Sequence, residues 1–219
     1  ILVVFLGTLA FNMQDVLLEP YGGEILGLAV GQTTWLTAAW AFGALVGLAY
    51  AARRLKAGLS AYRLMSNSIF VGLLAFPAVI VSAPIGSTTL FFAGAFLIGL
   101  GSGLFAVSTL IAAMLLGENE NTSHGLALGA WGASQATSAG LAIALGGTLR
   151  DWINTLAMRG DLGETLATPA TGYSFVYHLE IAVLIVTLAI LVPLVRMAQR
   201  TQSKSDHGNS GIKLADFPM

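Results

Sequence analysis

This chain has 219 residues, 56% hydrophobic and 10% charged, which leaves too little polar surface to cover a water-soluble globule; soluble domains carry about 25% charged residues. The net charge of −1, with only 10 Lys and Arg scattered along the chain, excludes a phosphate-tracking groove and argues against nucleic-acid partners. Cysteine is absent, which removes disulfides, thiolate metal sites and cysteine nucleophiles, and a mean hydropathy of +0.79 points to an integral membrane protein.

The first apolar stretch lies near 1–18. It opens at Ile1 in mid-helix without a charged n-region, so it is no signal peptide, and the chain is expected to begin partway through a longer protein. It runs into Asn12-Met13-Gln14-Asp15-Val16-Leu17-Leu18-Glu19-Pro20-Tyr21-Gly22-Gly23-Glu24. On one continuous helix Asn12, Asp15 and Glu19, at i, i+3 and i+7, share a face. An ionisable group at membrane depth costs at least ~2.5–3.5 kcal/mol, which makes Asp15 a functional candidate. The competing reading places Asp15 near a helix end, in reach of interfacial water. Pro20-Tyr21-Gly22-Gly23 is expected to end the helix within about a turn and a half.

Further apolar stretches near 31–52, 66–83, 88–116, 125–149 and 174–195 are each long enough for a ~30 Å hydrocarbon core. Together they predict an all-α polytopic membrane protein of about six transmembrane helices. Residues 1–198 are expected to form a six-helix transmembrane domain, which the resemblance given below implies is a half-domain, and 199–219 a polar tail. The fourth stretch exceeds the need and is expected to tilt or project. Lys and Arg sort unequally: Arg53, Arg54, Lys56, Arg63, Arg196, Arg200, Lys204 and Lys213 fall on one side, Arg150 and Arg159 on the other. The positive-inside rule makes the first side cytoplasmic, with the C-terminal tail, and sets Asp15 and Glu19 toward the far face. The acidic loop Glu118-Asn119-Glu120 lands on the cytoplasmic side too. So does the sequon Asn121-Thr122-Ser123, which is therefore set aside as a glycosylation site.

Small residues recur every four positions at Ala95, Gly99 and Gly103, at Gly125, Gly129 and Ala133, and at Ala136, Gly140 and Ala144. Such stripes let helix backbones approach closely. Gly99-Leu100-Gly101-Ser102-Gly103 lacks a preceding strand and the spacing of a nucleotide-binding turn. Trp131 and Gln135, at i and i+4, share a face in mid-membrane. They are either a buried amide bonding a neighbouring helix or the wall of a ligand cavity. Arg150 and Asp151 form a candidate structural ion pair at the end of the fifth stretch, expected to be solvated. His124 opens that stretch, His178 lies one turn into the last, and His207 is in the tail. A neutral imidazole ligates metal, including tetrapyrrole magnesium, so His178 and His124 are the candidates for a pigment contact. Glu180, two residues beyond His178, does not share its helix face. No P-loop, nucleophile elbow or metal-ligand cluster is present, and an enzyme is not expected.

Several of these stretches resemble the PucC/LhaA family, a branch of the major facilitator superfamily. They are Met13 to Glu24, Gly31-Gln32-Thr33-Thr34, Leu128-Gly129-Ala130-Trp131-Gly132-Ala133, Gly146-Gly147-Thr148-Leu149-Arg150-Asp151, Thr171 to His178, and the ending Phe217-Pro218. The resemblance implies the C-terminal six-helix half of a twelve-helix fold. It also implies a non-enzymatic assembly factor for bacterial light-harvesting complexes, in the inner, intracytoplasmic photosynthetic membrane. Such a factor holds or delivers bacteriochlorophyll and docks light-harvesting alpha and beta polypeptides, with the reaction-centre complex and the lipid bilayer as further partners. Asp15, Glu19, Tyr21, Trp131, Gln135, His178 and His124 are the candidate pigment or partner contacts. Two other occupations fit the same helices. One is a secondary transporter using Asp15 for proton coupling; the other is a permanent structural subunit of a photosynthetic complex.

Overall fold

Glycine at the crossings and hydroxyls along the helices shape this structure, a computed structural model that describes residues 1–117 and 123–209, with 197–209 as backbone alone. The helices are α1 (Leu2–Asn12), α2 (Leu18–Glu24), α3 (Val30–Lys56), α4 (Ala61–Ser82), α5 (Thr88–Gly117), α6 (His124–Met158) and α7 (Ala170–Asn209). Short 3-10 turns cover Met13–Val16 and Glu164–Leu166, and no strand occurs among the described residues.

The first stretch is one traverse broken in the middle. The Asn12 side-chain amide donates to the Thr8 carbonyl at 2.6 Å and competes with the backbone ladder there. The chain tightens into the 3-10 turn at Met13–Val16 and resumes as α2. Helix therefore continues through Pro20-Tyr21-Gly22-Gly23, where the sequence predicted its end. Pro20 sits in the first turn of α2, where its missing N–H is one of the donors that would lack an intrahelical partner anyway.

α3 begins at the Gln32 motif for a visible reason. The Gln32 carboxamide oxygen accepts from the Ala29 backbone N–H at 2.9 Å, which satisfies a donor left free at the helix start. Its far end closes at Gly58, whose φ of +84° suits glycine best. α3 and α5 then cross at their glycines. A Cβ on Gly43 would lie 2.1 Å from the Phe96 carbonyl oxygen, and one on Gly99 would lie 2.0 Å from that of Trp40. Gly47 and Gly103 repeat the contact against Leu100 and Ala44. The stripe of Ala95, Gly99 and Gly103 thus packs inside the bundle. The stripes on α6 do not: a Cβ at Gly125, Gly129 or Gly140 would meet nothing within 4 Å.

Among the described residues, five traverses are long and apolar enough to cross a membrane: Leu2–Glu24, Val30–Lys56, Ala61–Ser82, Thr88–Gly117 and Ala170–Arg196. The chain is a polytopic, all-helical membrane protein. The remaining expected span, near 125–149, falls in α6. This helix has ample length at 35 residues, but Ser134, Gln135, Thr137 and Ser138 make it less apolar. It starts beside the end of α5, where His124 packs on Gly117, and finishes beside the start of α7, where Arg150 meets Tyr173. Ser138 and Gln135 bond inward: Ser138 Oγ donates to the Phe5 carbonyl at 2.5 Å, and Gln135 accepts from the Thr8 hydroxyl. α7 remains helical to Asn209, well into the stretch whose composition reads as tail. The acidic loop at 118–120, residues Asn121 and Thr122 of the sequon, and the ending Phe217-Pro218 lie outside the described residues.

Candidate functional site

Aromatic side chains fill the centre of the bundle. Tyr21 contacts Phe91, Tyr173 and Tyr177, with ring centroids 5.5, 5.3 and 5.6 Å away. Phe76 continues the row to Phe11, and Phe11 to Phe105. Tyr21 is 1% exposed, so it is a core residue rather than a surface contact. The unbroken helix through Pro20 is what turns it inward.

The 3-10 turn separates the three polar residues expected on one face. Asn12 bonds back to Thr8 and lines a cavity of about 470 Å³ with Gln135, Trp40 and Ser102. Asp15 and Glu19 line a second cavity, about 270 Å³, with Gln14, Leu18, Thr37 and Trp40. The Asp15 carboxylate accepts from the Gln14 side chain at 2.5 Å, and Glu19 accepts from the Thr37 hydroxyl. Asp15 is thus held beside a side opening of the bundle. The Met13 carbonyl fixes this turn in place, because Gly146 of α6 presses against it where a Cβ would sit 2.4 Å away.

Trp131 and Gln135 share a face of α6 but serve different cavities. Gln135 accepts from the Thr8 hydroxyl of α1. Trp131 Nε1 donates to Thr109 Oγ1 of α5 at 3.2 Å and lines an apolar cavity of about 300 Å³ bounded by Ile1, Val4, Met65 and Leu191. Both residues therefore tie α6 to its neighbours and border open space as well.

At the opposite end of the bundle Arg150 is the hub of a four-residue latch. Its guanidinium donates to Glu24 at 2.5 Å, to the Tyr173 hydroxyl at 2.5 Å and to Asp151 at 2.7 Å. Tyr173 in turn donates to Glu24 at 2.8 Å, and the guanidinium lies 4.3 Å from the Tyr173 ring centre. The Arg150 side chain is 19% exposed, against 70% for Asp151, so the pair is not simply solvated at both ends. Gly172 lets α7 close on α6, since its Cβ would lie 2.4 Å from the Arg150 carbonyl oxygen. The latch joins α2, α6 and α7. Local spacing reveals only its Arg150–Asp151 arm, because Glu24 and Tyr173 are brought in by tertiary packing.

The two candidate histidines lie at opposite ends of the bundle. His124 is exposed in the first turn of α6, after the Ser123 cap. His178 is exposed on α7 and lines an apolar groove of about 520 Å³ with Ile153, Leu162, Leu166, Phe175 and neighbouring threonines. Its Nδ1 lies 2.6 Å from the Ser174 carbonyl oxygen. A carbonyl only accepts, so Nδ1 carries the proton, and a neutral ring then keeps its Nε2 lone pair free. That is the form of imidazole that ligates a metal. His207 lies where the backbone alone is described. No cluster of three or more His, Asp or Glu suited to a metal ion occurs among the described residues.

The family described as PUCC protein matches residues 1–199. The chain belongs to the PUCC family. Among its relatives, an uncharacterized protein of the puhA-bchM intergenic region of Rhodobacter capsulatus is 54% identical over 215 residues, covering 98% of this chain and 44% of the relative. Protein PucC of the same organism is 44% identical over 200 residues, covering 90% of this chain and 42% of the relative. The bacteriochlorophyll synthase 44.5 kDa chain of Rhodobacter capsulatus is 29% identical over 194 residues, covering 84% and 41%. This PUCC chain therefore spans less than half the length of these relatives. No solved structure matches it. The family match takes in the Asp15 turn, the Arg150 latch and the His178 groove alike.

Proposed function

We propose that this chain is part of a non-enzymatic assembly factor for bacterial light-harvesting complexes, acting in the photosynthetic inner membrane. Its membership of the PUCC family carries this reading. In it, α6 crosses the bilayer as the fifth of six traverses, since it must carry the chain from the end of α5 to the start of α7. The C-terminal end faces the cytoplasm, on the side rich in Lys and Arg.

The groove beside His178 fits a bacteriochlorophyll headgroup. It is apolar, it opens at the bundle surface, and its imidazole offers a free Nε2. The pigment, when bound, supplies a magnesium ion for that nitrogen and a flat apolar macrocycle for Phe175 and Leu166. Ser174 holds the ring orientation by accepting from Nδ1–H, as the second contact behind a ligating histidine usually does. Asp15 and Glu19 mark a second contact, a polar side opening beside α3 that suits the flank of a docked antenna polypeptide.

The test is affinity isolation of the tagged full-length protein from pigmented cells in mild detergent. Co-purifying alpha or beta antenna polypeptides support the reading. Their absence from a well-folded preparation overturns it. Stoichiometric recovery with mature complexes identifies a permanent subunit instead, and so also counts against an assembly role.

A further inference from the structure

The cavity beside Asp15 and Glu19 is rich in acceptors and has no cation of its own. Gln14, Asp15, Leu18, Glu19, Thr37 and Trp40 line it, so no Lys, Arg or His borders it. Asp15 and Glu19 are exposed on the flank of the Leu2–Glu24 span. A carboxylate left facing hydrocarbon is costly, and inside a span such a group pairs with an opposite charge or lines a wet cavity. Gln14 Nε2 donates to Asp15 and the Thr37 hydroxyl donates to Glu19, which leaves most of their lone-pair sites open. A third acceptor joins them. Gln14 is 1% exposed, and its Oε1 is buried without a hydrogen-bond partner. Trp40 closes the cavity on the α3 side, and its indole N–H is buried without an acceptor. Arg53, Arg54 and Lys56 stand in the last turn of α3, about four turns beyond Thr37. Arg150 of α6 is already engaged by Glu24, Tyr173 and Asp151.

We propose that this cavity binds an organic cation, the ammonium of a lysine or the guanidinium of an arginine, presented by a docked membrane polypeptide. An ammonium carries three donors, and Asp15, Glu19 and Gln14 Oε1 offer acceptors on three residues; a guanidinium carries five donors. Gln14 and Thr37 hold the two carboxylates in place before the cation arrives. Trp40 adds the aromatic surface that attracts cations best. Depth favours a side chain over a lipid headgroup. Asp15 stands nine positions before Glu24, the end of the span, which is about 13 Å along a helix. A lysine or arginine on a helix lying alongside reaches that level from within the membrane. The pairing would fix which polypeptide docks there and in what register, because charge complementarity acts chiefly on specificity. This deepens the docking contact placed at Asp15 and Glu19 above and rests on that reading.

The experiment uses the full-length protein with nitrogen-labelled tryptophan in phosphatidylcholine nanodiscs. Each indole N–H gives one proton–nitrogen NMR cross-peak, and Trp40→Phe assigns that of Trp40. The probes are n-butylammonium and ethylguanidinium, with n-butanol as the neutral control. The Trp40 peak should shift saturably with either cation and stay in place with butanol. In the double variant Asp15→Asn, Glu19→Gln the half-saturation concentration should rise about tenfold or more, the loss expected for charge-assisted bonds. The proposal is overturned if neither cation moves the peak, if butanol moves it equally, or if the double variant saturates like the wild type. Should the double variant fail to fold, Glu19→Gln decides alone by the same comparison. Nanodiscs of phosphatidylethanolamine test the lipid source: if they shift the peak by themselves and block the probes, the ligand is a headgroup and the proposal fails. Affinity isolation from pigmented cells separates this site from the assembly role. Antenna polypeptides recovered equally with wild type and double variant overturn the cation site and leave the assembly reading standing. Probe binding with no antenna polypeptide recovered keeps the site and overturns that reading.

Discussion

Replacing Gly99 by alanine places a methyl group where the structure has a backbone. The new Cβ would stand 2.0 Å from the Trp40 carbonyl oxygen and 2.8 Å from its carbon. Carbon–oxygen contacts across helix interfaces settle near ~3.3–3.6 Å. α3 and α5 must therefore part by more than about 1 Å at this crossing, and no side chain can rotate away to spare them. Overpacking of this kind costs about 1–3 kcal/mol. Alanine's better helix propensity returns up to ~1 kcal/mol. The net expectation is a loss of up to about 2 kcal/mol, from the overpacking cost less that return. Gly140→Ala is the matched control, since its Cβ meets nothing within 4 Å. It should be neutral or stabilising by up to ~1 kcal/mol. Denaturant unfolding of the purified protein in detergent micelles, followed by circular dichroism, measures both. If Gly99→Ala is as stable as Gly140→Ala, the glycine crossing does not set the approach of α3 to α5.

Further expectations follow from the latch and the turn. Arg150→Gln removes three charge-assisted bonds at once and should lower stability by about 1–3 kcal/mol, whereas Asp151→Asn, at an exposed arm, should cost less than ~1 kcal/mol; thermal unfolding of the two variants separates them. Gln135→Leu deletes the acceptor of the Thr8 hydroxyl and should cost about 1 kcal/mol, checked by the same melt. Asp15→Asn should reduce the yield of assembled antenna complex more than the amount of protein inserted in the membrane. Immunoblotting beside whole-cell absorption compares the two, and equal losses would make Asp15 merely structural.

Much of this molecule was legible in its sequence, and the rest was hidden for identifiable reasons. Hydropathy alone predicts an all-helical membrane protein, and the four-residue rhythm at Gly99 and Gly103 anticipates a close crossing. The same rhythm at Gly125, Gly129 and Gly140 misleads about internal packing, because a stripe says that backbones can approach and not what approaches them. Pro20 misled because a proline's cost depends on its place in the helix, and here it lies in the first turn. Local spacing shows only that Glu180 does not share a face with His178, and its complete burial follows from helix packing. Tyr173 and Glu24 escaped for the same reason: helix periodicity finds faces, and only the packed bundle finds partners. His178 was visible as a residue type, but the Ser174 carbonyl that its Nδ1 meets was not.

The most direct measurement of the central claim is the near-infrared absorption of the full-length protein purified from pigmented cells, as wild type, His178→Leu and His124→Leu. The account predicts a bound-pigment band in the wild type, its loss in His178→Leu, and its survival in His124→Leu. Inserted, folded protein with no pigment in the wild type, or equal pigment in all three, would contradict it.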